Sequence, residues 1–199
     1  CDWSSDVCSS DLKKVYLALL AAAMVSFSGC NSPAPHMTDN TDETVTFKGA
    51  PYALTGVMLN VGDDAPEVVV MTKDLQEKKL GGASSGTQVI AVVPSIDTPV
   101  CDLETRTFNE KVSKLGNVDL TVVSMDLPFA AGRFCAAKGI DNITVASDFR
   151  NKEFSRKYGV LISSGVLEGI TARAIFVIKD GKIVYKELVP EITNEPNYD

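Results

Sequence analysis

Val89–Val93 is an unbroken apolar, mostly β-branched run that stops at Pro94. Such a run reads as a buried strand, so any fold for this chain must put it in a core and turn the backbone at Pro94. Ser95-Ile96-Asp97 follows as a loop, and Thr98-Pro99 has the pattern of a helix N-cap with proline at the first helical position. Leu103, Phe108, Val112 and Leu115 supply an apolar face, which predicts a helix to about Leu115. Cys101 then falls in the first turn of a helix that follows a core strand. There a thiolate gains from free backbone N–H groups and the positive end of the helix dipole.

The remaining punctuation predicts a mixed α/β domain. Thr44–Leu54 alternates and turns at Gly49, as a β-hairpin does. Gly62–Pro66 is a loop, Glu67–Met71 a strand, and Lys78–Thr87 a glycine- and serine-rich connection. Val118–Met125 is a second core strand, and Pro128 opens a helix that runs to Lys138. Ile143–Ala146 is a short strand, and Asn151–Tyr158 a helix closed by Gly159. Ala172–Lys179 and Lys182–Val189 flank Asp180-Gly181, a strong hairpin signal. Alternating strands and helices with a closing hairpin suggest a sheet covered by helices on both faces.

The N-terminal region has a different character. Residues 1–12 lack an initiating Met and resemble a translated sequencing adapter, so Cys1 and Cys8 are set aside. Lys13-Lys14 precede Val15–Val25, a short apolar run of the kind found in secretory signals. It is too short for an ordinary membrane span. The run ends in Ser28-Gly29-Cys30, similar to a bacterial lipoprotein box with Cys30 as the lipidated residue; a plain signal peptide is the alternative. Residues 31–43 read as a polar tether, and residues 44–199 as one domain. This predicts an extracytoplasmic, lipid-anchored protein, or a cytoplasmic one if the N-terminus is artefactual.

Charge and histidine content narrow the chemistry. The chain carries −7; three Asp against two Lys lie in residues 1–30, which leaves −6 on residues 31–199. An acidic domain without a basic cluster argues against nucleic-acid binding. The single histidine, His36, lies in the tether, so a Cys–His catalytic pair and a His-containing metal site both lack their partner.

Pro94, Thr98 and Cys101 fit Pro-x-x-x-Thr-x-x-Cys, the active-site pattern of peroxiredoxins, and Ser95–Cys101 resembles the thiol peroxidase branch. Further matching strings are Asp126–Ala130, Arg133-Phe134-Cys135, Ser147–Asn151, Ala172-Arg173-Ala174 and Glu191–Pro196. The resemblance spans roughly residues 44–199 and implies a thioredoxin-like fold of peroxiredoxin type with an added N-terminal β-hairpin. Family members continue past the last string into a C-terminal helix, whereas this sequence stops at Asp199. Either the sequence is clipped there or that helix is absent, and an absent helix would leave apolar sheet surface uncovered.

The same resemblance implies the chemistry. Cys101 would be the peroxidatic cysteine, oxidised by peroxide to a sulfenic acid. Arg173 would stabilise its thiolate, Thr98 would hydrogen-bond the peroxide, and Pro94 would bound the pocket. Cys135 would resolve the sulfenic acid as an intramolecular disulfide with Cys101. A thioredoxin-like dithiol would reduce that bridge, and a homodimer is expected. The reaction requires no metal or other cofactor. Hydrogen peroxide and organic hydroperoxides are the implied substrates.

The residues alone leave milder alternatives. Thr98 also serves as an N-cap, Pro94 as a strand terminator, Cys135 as a small buried hydrophobe, and Arg173 as an edge residue reaching for water. Two rival functions remain. A thioredoxin-type disulfide oxidoreductase would want Cys-x-x-Cys, but Thr98 holds the first position. A non-enzymatic lipoprotein would have inert thiols.

Overall fold

The computed structural model describes residues 43–198. The adapter-like start, the signal-like run, Cys30 and nearly all of the tether lie outside the described residues. The chain then runs β1 (Thr44–Phe47), β2 (Ala50–Thr55), β3 (Val68–Thr72), β4 (Glu77–Leu80), β5 (Thr87–Val92) and α1 (Pro99–Val112). It continues through β6 (Val118–Ser124), α2 (Pro128–Lys138), β7 (Thr144–Ser147), α3 (Glu153–Lys157), β8 (Leu161–Ile162), β9 (Ala174–Lys179) and β10 (Lys182–Leu188).

Seven strands form one sheet in the order β10-β9-β5-β6-β7-β3-β4. The central strands β5, β6 and β7 are parallel, and the flanking pairs are antiparallel. Successive residues of a strand face opposite sides, and the two cores follow that period. Ile90, Val92, Val123, Phe176 and Ile178 pack on one face with Phe154 and Tyr158 of the α3 region. Ala91, Val93, Val122 and Ile175 pack on the other with Phe108 of α1 and Phe134 of α2. The expected mixed sheet with helices on both faces is therefore the observed one.

The hairpins form as their sequences predict. Lys48 and Gly49 (φ 53° and 80°) and Asp180 and Gly181 (φ 52° and 76°) put two consecutive residues at positive φ. That geometry matches the twist of two-residue hairpins. β1, β2 and β8 make a separate small sheet, filled by Val45, Tyr52, Leu54, Ile162, Ala172 and Ile192.

Two expectations are corrected, and one strand had no expectation. Lys78–Thr87 is not all connection: Glu77–Leu80 pairs with β3 as the edge strand, where Lys78 and Lys79 suit an unprotected edge. β8 is a two-residue strand, too short for a periodic signal. The buried face of α1 is Cys101, Glu104, Thr105, Phe108, Asn109 and Val112. Leu103 is exposed because it stands two residues on from Cys101, off that stripe, and Leu115 lies past the helix, which ends at Val112. An apolar groove of about 510 Å³ lies between α1 and the sheet, lined by Val89, Phe108, Leu115, Leu120, Val177 and Tyr198 among others.

Candidate active site

The site begins where β5 ends. Val93 N–H still donates to the Val123 carbonyl, and the buried Pro94 then ends the ladder. Asp126, just past β6, staples the next turn: it accepts from Ser95 Oγ, Ile96 N–H and Ser124 Oγ, each at 2.8 Å. Thr98 is the N-cap residue of α1 and Pro99 opens the helix, but the Thr98 side chain does not cap. Its hydroxyl turns back and donates to the Ser95 carbonyl at 3.0 Å. The Ser95–Thr98 turn, closed by Thr98 N–H to the Ser95 carbonyl at 3.1 Å, puts that acceptor within reach. Thr98 Oγ1 thus keeps its lone pairs, but not its proton, for another partner.

Cys101 lies in the first turn of α1 and is fully buried. First-turn amides of a helix have no intrahelical acceptor, which makes this position favourable for an anion. The antiparallel register Val92↔Ala174 carries Arg173 to the end of β5 where the chain departs for Cys101. Arg173 is only 1% exposed, so it is not an edge residue reaching for water. Its Nη2 donates to Cys101 Sγ at 3.2 Å. Nε and Nη2 both donate to the Ile192 carbonyl, at 3.1 and 2.9 Å. Nη1 pairs with Glu104 Oε2.

Glu104 was not anticipated from the sequence. It is fully buried, and its Oε1 finds no hydrogen-bond partner among the described residues. Burial pushes the Glu104 carboxyl up to about 7, against the pull of the neighbouring Arg173 charge. Burial opposes the Arg173 charge, but Glu104 and Cys101 outweigh it and hold the guanidinium pKa above its ordinary value. The missed signal was the spacing: an acid three residues after Cys101 shares its helical face.

A cavity of about 340 Å³ opens beside this cluster. Arg173 and Thr98 reach it, and Phe47, Pro94, Val100, Leu167, Ile170 and Ile192 give it apolar walls. Pro94 and Thr98 therefore share one cavity with the cation that touches Cys101.

Cys135 lies one turn from the end of α2, 5% exposed, in the same core cluster as Cys101. Both thiols are free. Burial raises the Cys135 thiol pKa above its ordinary value. The helix ends in a left-handed Gly139 (φ 66°), and the N–H groups of Gly139 and Ile140 both return to the Cys135 carbonyl. α1 holds this end directly. Asp102 pairs with Lys138 at 2.7 Å, and Asn109 Oδ1 accepts from the N–H groups of Asp141 and Asn142 at 3.2 and 2.9 Å.

A family model described as Redoxin matches residues 60–199. A thiol peroxidase of Aquifex aeolicus is 61% identical over 157 residues, which cover 78% of this chain and 92% of that protein. The chain belongs to the redoxin family, among the thiol peroxidases. A second thiol peroxidase, from Campylobacter jejuni, is 57% identical over 77% of this chain and 87% of its own length. The crystal structure of a peroxiredoxin-like protein from Aquifex aeolicus superposes with a TM-score of 0.76, at 61% identity, covering 78% of this chain and 91% of that one. A thiol peroxidase from Chromobacterium violaceum, 22% identical, shares the fold with a TM-score of 0.73 over 79% of this chain and 91% of its own. The thioredoxin-like, peroxiredoxin-type fold expected from the motif is thus the observed one. In this thiol peroxidase, Pro94, Thr98, Cys101 and Arg173 converge, while Cys135 stands on a separate helix of the same core.

Proposed function

We propose that the protein is a thiol-dependent peroxidase that reduces hydrogen peroxide and organic hydroperoxides at Cys101. The observation that carries this reading is the Arg173 Nη2–Cys101 Sγ bond at 3.2 Å beside the cavity shared by Pro94 and Thr98. The Cys101 thiolate attacks the terminal peroxide oxygen. An S–O bond forms, the O–O bond breaks, and the departing alkoxide takes a proton to leave as alcohol, or as water from hydrogen peroxide. Cys101 is oxidised to the sulfenic acid and the peroxide is reduced. The Arg173 cation supports the charge that moves along the breaking bond, and the Thr98 lone pairs accept the peroxide O–H.

Cys135 is the resolving residue in this reading. Its thiol condenses with the Cys101 sulfenic acid, forming the disulfide and releasing water. Both sulfurs are buried on separate helices, so the ends of α1 and α2 must loosen before they reach the roughly 2 Å of a disulfide. A thioredoxin-type dithiol then returns both cysteines to thiols by exchange. A homodimer belongs to the same reading by kinship. Lys13-Lys14, the apolar run and Cys30 motivate a lipid anchor outside the cytoplasm. An intact mass of the native protein that retains residues before Cys30 would refute it.

The test is turnover of cumene hydroperoxide with thioredoxin, thioredoxin reductase and NADPH. Cys101→Ser should lose all turnover. Cys135→Ser should consume one equivalent of peroxide to reach the sulfenic acid and fail to cycle, and a second equivalent of peroxide should carry that sulfenic acid on to the sulfinic acid. Parent protein treated with peroxide should give a Cys101–Cys135 peptide and run as a monomer on non-reducing gels. Parent-like turnover by Cys101→Ser refutes the assignment, and full cycling by Cys135→Ser removes the resolving role.

A further inference from the structure

We infer that Glu191 is a positioning residue for the peroxide reaction, setting through one peptide group where Arg173 holds its guanidinium against Cys101. The inference rests on the active-site reading above. Glu191 follows β10 and does not line the cavity. Its carboxylate nevertheless accepts five hydrogen bonds. Oε1 takes the N–H groups of Lys48 and Thr193 at 3.2 and 3.1 Å and Thr193 Oγ1 at 2.7 Å. Oε2 takes Thr46 Oγ1 at 2.9 Å and Gly49 N–H at 3.1 Å. A carboxylate offers about four lone-pair sites, so this one is saturated. The bonds, led by that from Thr193 Oγ1, hold its pKa down to about 2 and keep it ionised at any working pH.

One of those five bonds bears on the site. The Thr193 N–H and the Ile192 carbonyl belong to the same peptide group, which is planar and trans. Glu191 grips the N–H end. Arg173 Nε and Nη2 grip the carbonyl end, and Nη2 also holds Cys101 Sγ. A rigid plane cannot tilt at one end alone, so the carboxylate fixes the direction of the carbonyl that aims the guanidinium. Its negative charge at the N–H end also polarises the group and makes the carbonyl a stronger acceptor. The neighbouring backbone is tied to β1 by Thr46 N–H to Pro190 O at 2.6 Å and Ile192 N–H to Thr46 O at 2.9 Å. The Thr46–Gly49 end of the hairpin is thereby tied to the backbone that places Arg173.

The test is the rate constant for a single oxidation of reduced Cys101 by cumene hydroperoxide, measured by rapid quench and mass spectrometry. Glu191→Gln turns an NH₂ group toward donors and should lower the rate about 10- to 100-fold, the order that misplacement by up to 1 Å produces. Arg173→Lys lacks the rigid fork and should also be slow. If Glu191 acts through Arg173, the double variant should be no slower than Arg173→Lys alone. Glu191→Asp, which keeps the charge, should recover part of the rate; if Glu191→Gln does not fold, Glu191→Asp alone and with Arg173→Lys makes the same comparison. Glu43→Gln removes a different hairpin tie, to Lys186 at 3.0 Å, and should keep the parent rate. A parent-like rate for Glu191→Gln, losses that add with Arg173→Lys, or an equal loss in Glu43→Gln would overturn the inference. A parent-like rate for Arg173→Lys would instead show that the reading of the active site had failed, and the inference with it.

Discussion

Replacing Glu104 by Gln should make the protein's stability less sensitive to pH, in a direction the buried cluster dictates. Arg173 serves both Glu104 Oε2 and Cys101 Sγ, and Glu104 Oε1 is buried without a partner among the described residues. Burial therefore holds the folded carboxyl at about 7, against an ordinary value of 4.5. A carboxyl with a raised pKa binds its proton more tightly in the folded state. Its contribution is fully present below pH 4.5 and is lost as pH rises through 7. At 1.36 kcal/mol per pH unit of difference, the parent should lose about 2–3 kcal/mol from this group between pH 5 and pH 8. Gln does not titrate, so the stability difference, variant minus parent, should move by that amount in favour of the variant. The assay is urea unfolding of both reduced proteins at pH 5, 6, 7 and 8. A difference that stays constant within 0.5 kcal/mol, on the order of the measurement error, would mean that Glu104 is ionised throughout and that burial does not dominate.

Asn109→Ala removes the acceptor for the Asp141 and Asn142 N–H groups, so it should cost about 1–3 kcal/mol. Because it frees the end of α2, it should also speed disulfide closure in a quenched-alkylation time course; unchanged closure would show that α1 does not restrain Cys135. Phe154→Ala empties a site with no exposure, where the ring stacks on Tyr158 at 4.4 Å, and should cost about 3–5 kcal/mol in urea unfolding. Its effect on the rate of Cys101 oxidation should be small, since Phe154 packs on the sheet face opposite Cys101.

Much of the frame could be read from neighbouring residues. Val89–Val93 became the central strand, Thr98-Pro99 the start of α1, and Asp180-Gly181 the turn between β9 and β10. Each depends on spacing, ring geometry or positive φ, all of which act within a few residues of chain. The same local rules explain where reading fell short. Leu103 looked like part of a buried stripe and Glu104 drew no reading, because the buried face is decided by what α1 packs against. The Thr98 hydroxyl was read as a helix cap or a peroxide ligand, and only the folded turn directs its proton to the Ser95 carbonyl.

The motif could point to Cys101 and Arg173, but their meeting across 72 residues follows from β9 lying beside β5 in one register. Glu104 joins them across 69 residues because α1 packs its acid onto the same guanidinium. Glu191 reaches them only because β1 returns alongside residues 190–192. Chain-local chemistry specifies which segments can be strand, turn or helix. Contacts between distant segments have no such local signature. They are set by which apolar faces bury together, and that choice determines which buried charges must share one cation.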